Sequence, residues 1–272
     1  MVSFPNAKIN IGLQIKGKRK DGYHDLQTVF YPINIKDVLE IITAEDSNKQ
    51  VQFTSSGLNV DGKAEDNLCI KAYQLLKKDF PSLPSVRIHL HKYIPMGAGM
   101  GGGSADAAFS LQMLNDKFNL QLSSEKLCEY ALTLGSDCPF FILNKPSIAE
   151  GRGELMKQIN LSLSPYKIIV VNPGIHVSTA DAFKSLELKE SYCDLLESIS
   201  KPIEQWKNLI VNDFEKPVFQ KHPVLQEIKS RLYEAGAIFA LMSGSGSTIY
   251  GIFDKKNHPD LSFPNTYFLK WV

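Results

Sequence analysis

Pro95-Met96-Gly97-Ala98-Gly99-Met100-Gly101-Gly102-Gly103-Ser104-Ala105 places five glycines within seven positions, more than a turn requires. Without Cβ atoms, backbone amides can close around a ligand. Residues 86–91 before the run read as a strand, and Ala107, Ala108, Leu111, Leu114 and Phe118 after it fall at helical spacing. The run is therefore a strand-to-helix connection, with amides and a helix dipole that together favour an anion. A triphosphate is the common anion that needs so long a cradle. A flexible hinge is the competing reading, but a hinge has no need of a helix straight after it. No Gly-Lys-Ser/Thr follows, so this is not a Walker A loop. The dinucleotide fingerprint fails as well, since its acidic residue about 20 positions on is missing.

Upstream, Ala7, Ile9, Ile11, Leu13 and Ile15 alternate with Lys8, Asn10, Gly12 and Gln14, the pattern of a strand with two distinct faces. Lys8 and Asn10 therefore point the same way. Asp21-Gly22 marks a turn and residues 26–33 a returning strand, a hairpin whose basic tip, 16–20, reads as solvated. Strands are expected at 38–43 and 51–54. A helix follows Asp66-Asn67, one of which caps it.

Downstream of the glycine run, Ser123 caps a second helix that Gly135 closes, and Asp137 comes straight after. A break at 144–164 separates this half from another, which opens with a strand at 167–172 and the turn Pro173-Gly174. Helices, among them one at 179–186, then run to about residue 235, with Gly236 ending the last. Strands close the chain at 237–242, 248–253 and 266–272. Helices segregated against mostly antiparallel strands make the fold class α+β. The 272 residues suit two modest domains.

With 43% hydrophobic and 22% charged residues and a net charge of +1, the chain is globular and has no field to draw nucleic acid or an anionic membrane. A small-molecule partner fits better. Four cysteines lack any Cys-x-x-Cys spacing and read as reduced, buried thiols. His89 and His91 lack a third metal ligand and read as an ordinary strand face. No basic leader and no apolar run of about 18 residues is seen, so a cytoplasmic protein is expected.

Residues 95–108 resemble the phosphate-binding motif of the GHMP kinases. Ala7-Lys8-Ile9-Asn10, Asp21-Gly22-Tyr23-His24, Gly135-Ser136-Asp137-Cys138-Pro139-Phe140-Phe141 and Ser243-Gly244-Ser245-Gly246-Ser247 extend the resemblance over nearly the whole chain. They resemble the branch of that family that phosphorylates the 2-hydroxyl of a cytidine diphosphate-linked methylerythritol on the non-mevalonate route to isoprenoids. The resemblance implies a two-domain GHMP kinase fold, with a ribosomal-protein-S5-like N-terminal domain (1–155), a ferredoxin-like C-terminal domain (156–272) and the active site in the cleft between. It implies Asp137 as general base, with Lys8 as the cation that pairs with it and neutralises developing charge. Phosphoryl transfer needs mainly positioning and charge neutralisation, so a carboxylate and an ammonium suffice.

Residues 95–105 would hold the ATP phosphates, and Asp66-Asn67 and Lys92 would lie near the adenosine. Tyr23 and His24, aromatic residues after a tight turn, are suited to stacking on a pyrimidine, and the resemblance assigns them and Phe183 to the cytidine. Asn10, Gly244 and Ser245 are expected at the substrate, although 243–247 alone reads as a flexible hairpin loop and Phe183 alone as helix packing. Magnesium is expected with ATP, with Ser104 contributing at most its hydroxyl, and no metal-ligating set is assigned. The protein is expected to be a monomer or weak homodimer.

Three positions depart from the family pattern. Ala105 replaces a common Ser, so its amide must serve the phosphates alone. Met100 replaces Leu, and Asn6 replaces Pro. Open alternatives are a homoserine- or mevalonate-type GHMP kinase, which has no nucleobase to bind, and a nucleotide-binding sensor without chemistry.

Overall fold

Strand alternation at 7–15 builds a long strand, yet all ten residues from Asn6 to Ile15 are buried, the polar ones included. The computed structural model describes residues 1–44, 50–60, 62–186, 193–257 and 259–272. In chain order the first half comprises β1 (Val2–Ser3), β2 (Asn6–Lys18), β3 (His24–Lys36), β4 (Val38–Thr43), β5 (Val51–Gly57), α1 (Leu68–Asp79), β6 (Val86–Lys92), α2 (Gly102–Lys117), α3 (Ser124–Leu134) and α4 (Cys138–Leu143). There follow β7 (Ser147–Glu150), β8 (Leu155–Gln158), β9 (Tyr166–Asn172), α5 (Thr179–Lys184), α6 (Leu195–Ser200), α7 (Ile203–Leu209), α8 (Glu215–Lys221), α9 (Pro223–Glu234), β10 (Phe239–Met242), β11 (Ile249–Asp254) and β12 (Phe268–Trp271). Part of the helical stretch expected before residue 235, at 187–192, lies outside the described residues.

The chain falls into two compact units. One holds Met1–Ala7, Asn34–Met96 and Gly101–Lys145, and the other Lys8–Ile33, Gly97–Met100 and Pro146–Val272. A linear boundary after residue 155 is therefore not how the units divide. The reason is pairing: β7 runs antiparallel to β3, with Val29 opposite Ile148, and β8 pairs with β7. The expected break at 144–164 is thus a pair of strands that joins the hairpin β2–β3 in one sheet, ordered β2-β3-β7-β8.

In the first unit the sheet runs β1-β4-β6-β5. Its β5 is parallel to β6, while β4 is antiparallel to β6, within the mostly antiparallel arrangement expected. Helix α1 starts where expected, with the Asn67 side chain accepting from the Cys69 amide at 2.9 Å. Ser123 caps α3 through the Lys126 amide at 3.3 Å. Each such cap is worth about 1 kcal/mol.

In the second unit β10-β11-β9-β12 form an all-antiparallel sheet. Its core gathers Ile169, Val171, Phe214, Leu225, Leu232 and Phe253, with Leu13 and Ile15. Of the cysteines, Cys69 and Cys138 are buried as expected and Cys128 is half-buried. Cys193 is exposed, because it precedes α6 in a surface segment rather than packing in a helix stripe.

Candidate active site

The glycine run leaves β6 at Lys92 and enters α2 at Gly102, and Gly101 takes a left-handed backbone with φ of 70° just before the helix. The first amides of a helix have no partner within it. Here these are the amides of Gly102, Gly103 and Ser104, and a Cβ added at Gly103 would meet nothing closer than 4.0 Å. Open space at Gly103 beside these unpaired amides suits an anion. The Ala105 amide does not join it, since it donates to the Gly101 carbonyl at 2.9 Å and the methyl group is buried. The expectation that the Ala105 amide serves the phosphates thus meets an amide already bonded within the first turn of α2.

The first part of the loop is anchored rather than open. Met100 is buried and its carbonyl accepts from the Lys8 amide at 3.0 Å, while buried Ala98 accepts from the Thr248 amide at 3.3 Å. At Gly99 φ is +77°, and a Cβ there would stand 2.0 Å from the Ser243 carbonyl oxygen, so only glycine fits. Gly97 presses on His176, with Nδ1 2.9 Å from an added Cβ. Pro95 is half-buried, and exposed Met96 lines a cavity of about 350 Å³.

That cavity lies within the first unit, lined among others by Phe53, Asn67, Leu68, Leu90, Lys92 and Asp106. Its size falls in the usual small-ligand range. Asn67 thus caps α1 and faces the cavity. Lys92 lines it too, but its ammonium is held by Asp37 Oδ2 at 2.5 Å and Asp106 Oδ2 at 2.7 Å, all three residues being buried. Asp37 Oδ1 also accepts from the amides of Tyr93 and Ile94, at 2.6 and 2.8 Å. Lys92 therefore fixes the exit of β6 to the second turn of α2 from beneath Gly102. Neither carboxylate was legible as its partner in the sequence.

Burial pushes the Asp106 carboxyl up to about 7; Lys92 pulls it down and Asp37 adds to the rise. For Lys92 burial acts downward, but Asp106 and Asp37 outweigh it and raise the ammonium. Asp106 Oδ1 accepts no hydrogen bond from the described residues, which suits a carboxyl that holds a proton.

Lys8 is only 3% exposed, so its charge is held inside the fold. Its ammonium donates to Asn10 Oδ1 at 2.5 Å and the Gly99 carbonyl at 3.2 Å, and lies 5.0 Å from the centre of the Phe30 ring. Asn10 shares the face as expected. It also donates to Thr28 Oγ1 at 2.9 Å and binds Ser243 Oγ and the Tyr250 hydroxyl through its backbone, at 3.1 and 3.0 Å. So many partners make Asn10 the scaffold of Lys8 rather than an evident substrate contact.

Asp137 occupies the cap position of α4, but its side chain makes no capping bond there. The next residue, Cys138, is buried; burial pushes its thiol up to about 12 while the nearby Ser104 side chain acts to lower it, so the start of α2 and the Asp137 turn are neighbours. The far end of α4 is fixed by Asn144, whose amide exchanges two hydrogen bonds with that of Asn6, at 3.1 and 2.7 Å. Asn6 in place of proline thus provides a tie that proline cannot make.

His24 and Phe183 stack on each other with centroids 4.7 Å apart, and Phe183 meets Phe214 edge-on at 4.9 Å. Phe183 is thus packed against the core, with His24 on its ring face. Tyr23 is 54% exposed. The loop 243–247 is not slack: Ser243 and Ser247 are buried, and Asn212 Nδ2 donates to the Met242 and Gly244 carbonyls at 2.7 and 2.8 Å. Asn172 Nδ2 holds Ser247 Oγ at 3.1 Å, and Ser245 Oγ lies 2.9 Å from Thr179 Oγ1. The two asparagines lie 40 residues apart in sequence, and no local motif marked them.

Family comparison matches "GHMP kinases N terminal domain" to residues 67–145 and "GHMP kinases C terminal" to residues 195–261. A Bacteroides fragilis protein named 4-diphosphocytidyl-2-C-methyl-D-erythritol kinase is 54% identical over 255 residues, covering 93% of this chain and 92% of its own length. The chain belongs to the GHMP kinases. A relative of the same name from Bacteroides thetaiotaomicron is 49% identical over 266 residues, 98% of this chain and 95% of its own. A solved structure of 4-(cytidine 5'-diphospho)-2C-methyl-D-erythritol kinase superposes with a TM-score of 0.77 at 32% identity, covering 93% of this chain and 90% of that one. Mevalonate kinase from Methanococcus jannaschii, at 13% identity and a TM-score of 0.68 over 94% and 92% of the two chains, shares the fold. As a GHMP kinase, the protein has the two-domain fold of that family and uses ATP.

Proposed function

We propose that the protein transfers the γ-phosphoryl group of ATP to the 2-hydroxyl of 4-diphosphocytidyl-2-C-methyl-D-erythritol, giving the 2-phosphate and ADP in non-mevalonate isoprenoid synthesis. The observation that carries the choice of substrate is the pairing of His24 with Phe183, 4.7 Å apart, beside exposed Tyr23. A homoserine or mevalonate kinase has no base for these rings to bind. The names of the relatives point the same way.

In the reaction, Asp137 accepts the proton of the 2-hydroxyl as the oxygen attacks the γ-phosphorus, and the bond to the bridging oxygen of ADP breaks. The amides of Gly102, Gly103 and Ser104 bind the phosphates, and the buried Lys8 ammonium offsets charge that develops on them. Asn67 and the cavity beside Lys92 receive the adenosine. Magnesium bound with ATP would neutralise charge on its phosphates. Among the described residues no group of three or more His, Cys, Asp or Glu could hold a metal, so phosphate oxygens, water and the Ser104 hydroxyl would be its ligands.

Among the described residues no helix is long and apolar enough to cross a membrane. The protein acts in the cytoplasm on small molecules, as a monomer or weak homodimer, without nucleic acid. ADP release measured with the cytidine diphosphate substrate, homoserine and mevalonate in parallel tests the proposal. Turnover is expected with the first alone; equal or greater turnover with either of the others overturns the choice of substrate.

A further inference from the structure

We infer that Arg152 is a positioning residue for the acceptor substrate, holding the Tyr23 ring so that a nucleobase can stack on its opposite face. The inference rests on the proposed cytidine reading and adds to it a residue that the glycine loop and the phosphoryl chemistry do not use. Arg152 Cζ lies 4.8 Å from the centre of the Tyr23 ring, within range for a guanidinium to be held against an aromatic face.

Tyr23 needs such a support. It stands just before β3 and is 54% exposed, so an unsupported ring would have to be ordered each time a ligand stacked on it. Arg152 is itself held in place. Its amide donates to Glu154 Oε2 at 2.5 Å, and its Nε lies 3.5 Å from Glu154 Oε1. The preceding Gly151 carbonyl accepts from the Leu26 amide at 2.7 Å. Arg152 is thereby tied to the strand that begins at His24, so the support for Tyr23 and the His24–Phe183 stack ride on one element. With one face of Tyr23 covered by the guanidinium, a flat ligand has only the other face to use.

Steady-state kinetics of Arg152→Ala, Arg152→Lys, Tyr23→Ala and the Tyr23→Ala/Arg152→Ala double variant test this. Arg152→Ala is expected to raise KM for the cytidine diphosphate substrate roughly 3- to 10-fold, with kcat and KM for ATP within about twofold of wild type. Arg152→Lys should recover part of the loss. In the Tyr23→Ala background, Arg152→Ala should add nothing further. An additive effect in the double variant would mean that the guanidinium acts on the substrate diphosphate instead, and an unchanged KM or a fall in kcat alone would also overturn the inference. Cytidine 5'-monophosphate, tested against the acceptor in the wild type, separates the two levels. If it fails to compete, the base-binding reading itself falls; if it competes while Arg152→Ala keeps its KM, only the role of Arg152 does.

Discussion

Lys92 Nζ stands 2.7 Å from Asp106 Oδ2 and, on its other side, 2.5 Å from Asp37 Oδ2, a buried cation between two carboxyl groups that joins β6 to α2 directly under the glycine loop. Removing one member of a buried ionic set leaves the others uncompensated. Lys92→Met is expected to lower stability by about 3–5 kcal/mol, read as a shift of the urea unfolding midpoint. A midpoint within error of wild type would show that the three groups do not act as a set.

The same set gives a pH dependence with a definite sign. The Asp106 carboxyl titrates at about 7 when folded, against an ordinary value of 3.8. Between those values the folded chain keeps a proton that the unfolded chain has released, so this group's contribution to stability falls as pH rises and levels off above about 7. The stability difference between wild type and Asp106→Asn should therefore move in favour of wild type as pH drops from 7.5 to 5, by at most about 1.4 kcal/mol per pH unit. A difference that stays flat over this range would show that Asp106 is not the proton-holding group.

Gly99→Ala should fail at the loop. Its methyl group would stand 2.0 Å from the Ser243 carbonyl oxygen in a backbone with φ of +77°. Both the clash and the conformation resist alanine, and the loop must shift away from Lys8, which donates to the Gly99 carbonyl. A loss of at least about tenfold in kcat/KM for ATP is expected, compared with Gly174→Ala, whose surroundings are open.

Asp137→Asn is expected to reduce kcat by about 10²- to 10⁴-fold with KM for ATP little changed, since only the proton acceptor is lost. Unchanged turnover would remove Asp137 from the chemistry. Lys8→Met should cost kcat roughly 10²-fold or more, because a buried ammonium stabilises developing charge better than any solvated one.

Asn6→Ala removes both hydrogen bonds to Asn144 and leaves that amide without them. A loss of about 1–2 kcal/mol in thermal unfolding is expected. If Asn6 steadies the helix that Asp137 opens, kcat should fall along with stability; a change in stability alone would confine the pair to packing.

What the sequence made readable was local. The glycine run, the alternation that puts Lys8 beside Asn10, and the caps Asn67 and Ser123 all depend on neighbours within a few residues. The partners of Lys92 lie 55 and 14 residues away and meet only when β4, β6 and α2 assemble. Strands β7 and β8 are four residues each, too short for a period to show, and they form because β3 offers an edge. The loop 243–247 looked slack because glycine and serine say nothing about the distant asparagines that grip it.

His24 and Phe183 already satisfy one another in the absence of any ligand. A flat base entering between them would form two stacks but first dissolve the one they had, so it would gain the sum of the two new stacking energies less the old one. Affinity at this slot is therefore an exchange, and a ligand that only reaches its rim keeps the old contact intact and gains nothing from it. Compounds aimed at the slot would be ranked by how far their two new stacks exceed the one they break, not by how much surface they cover.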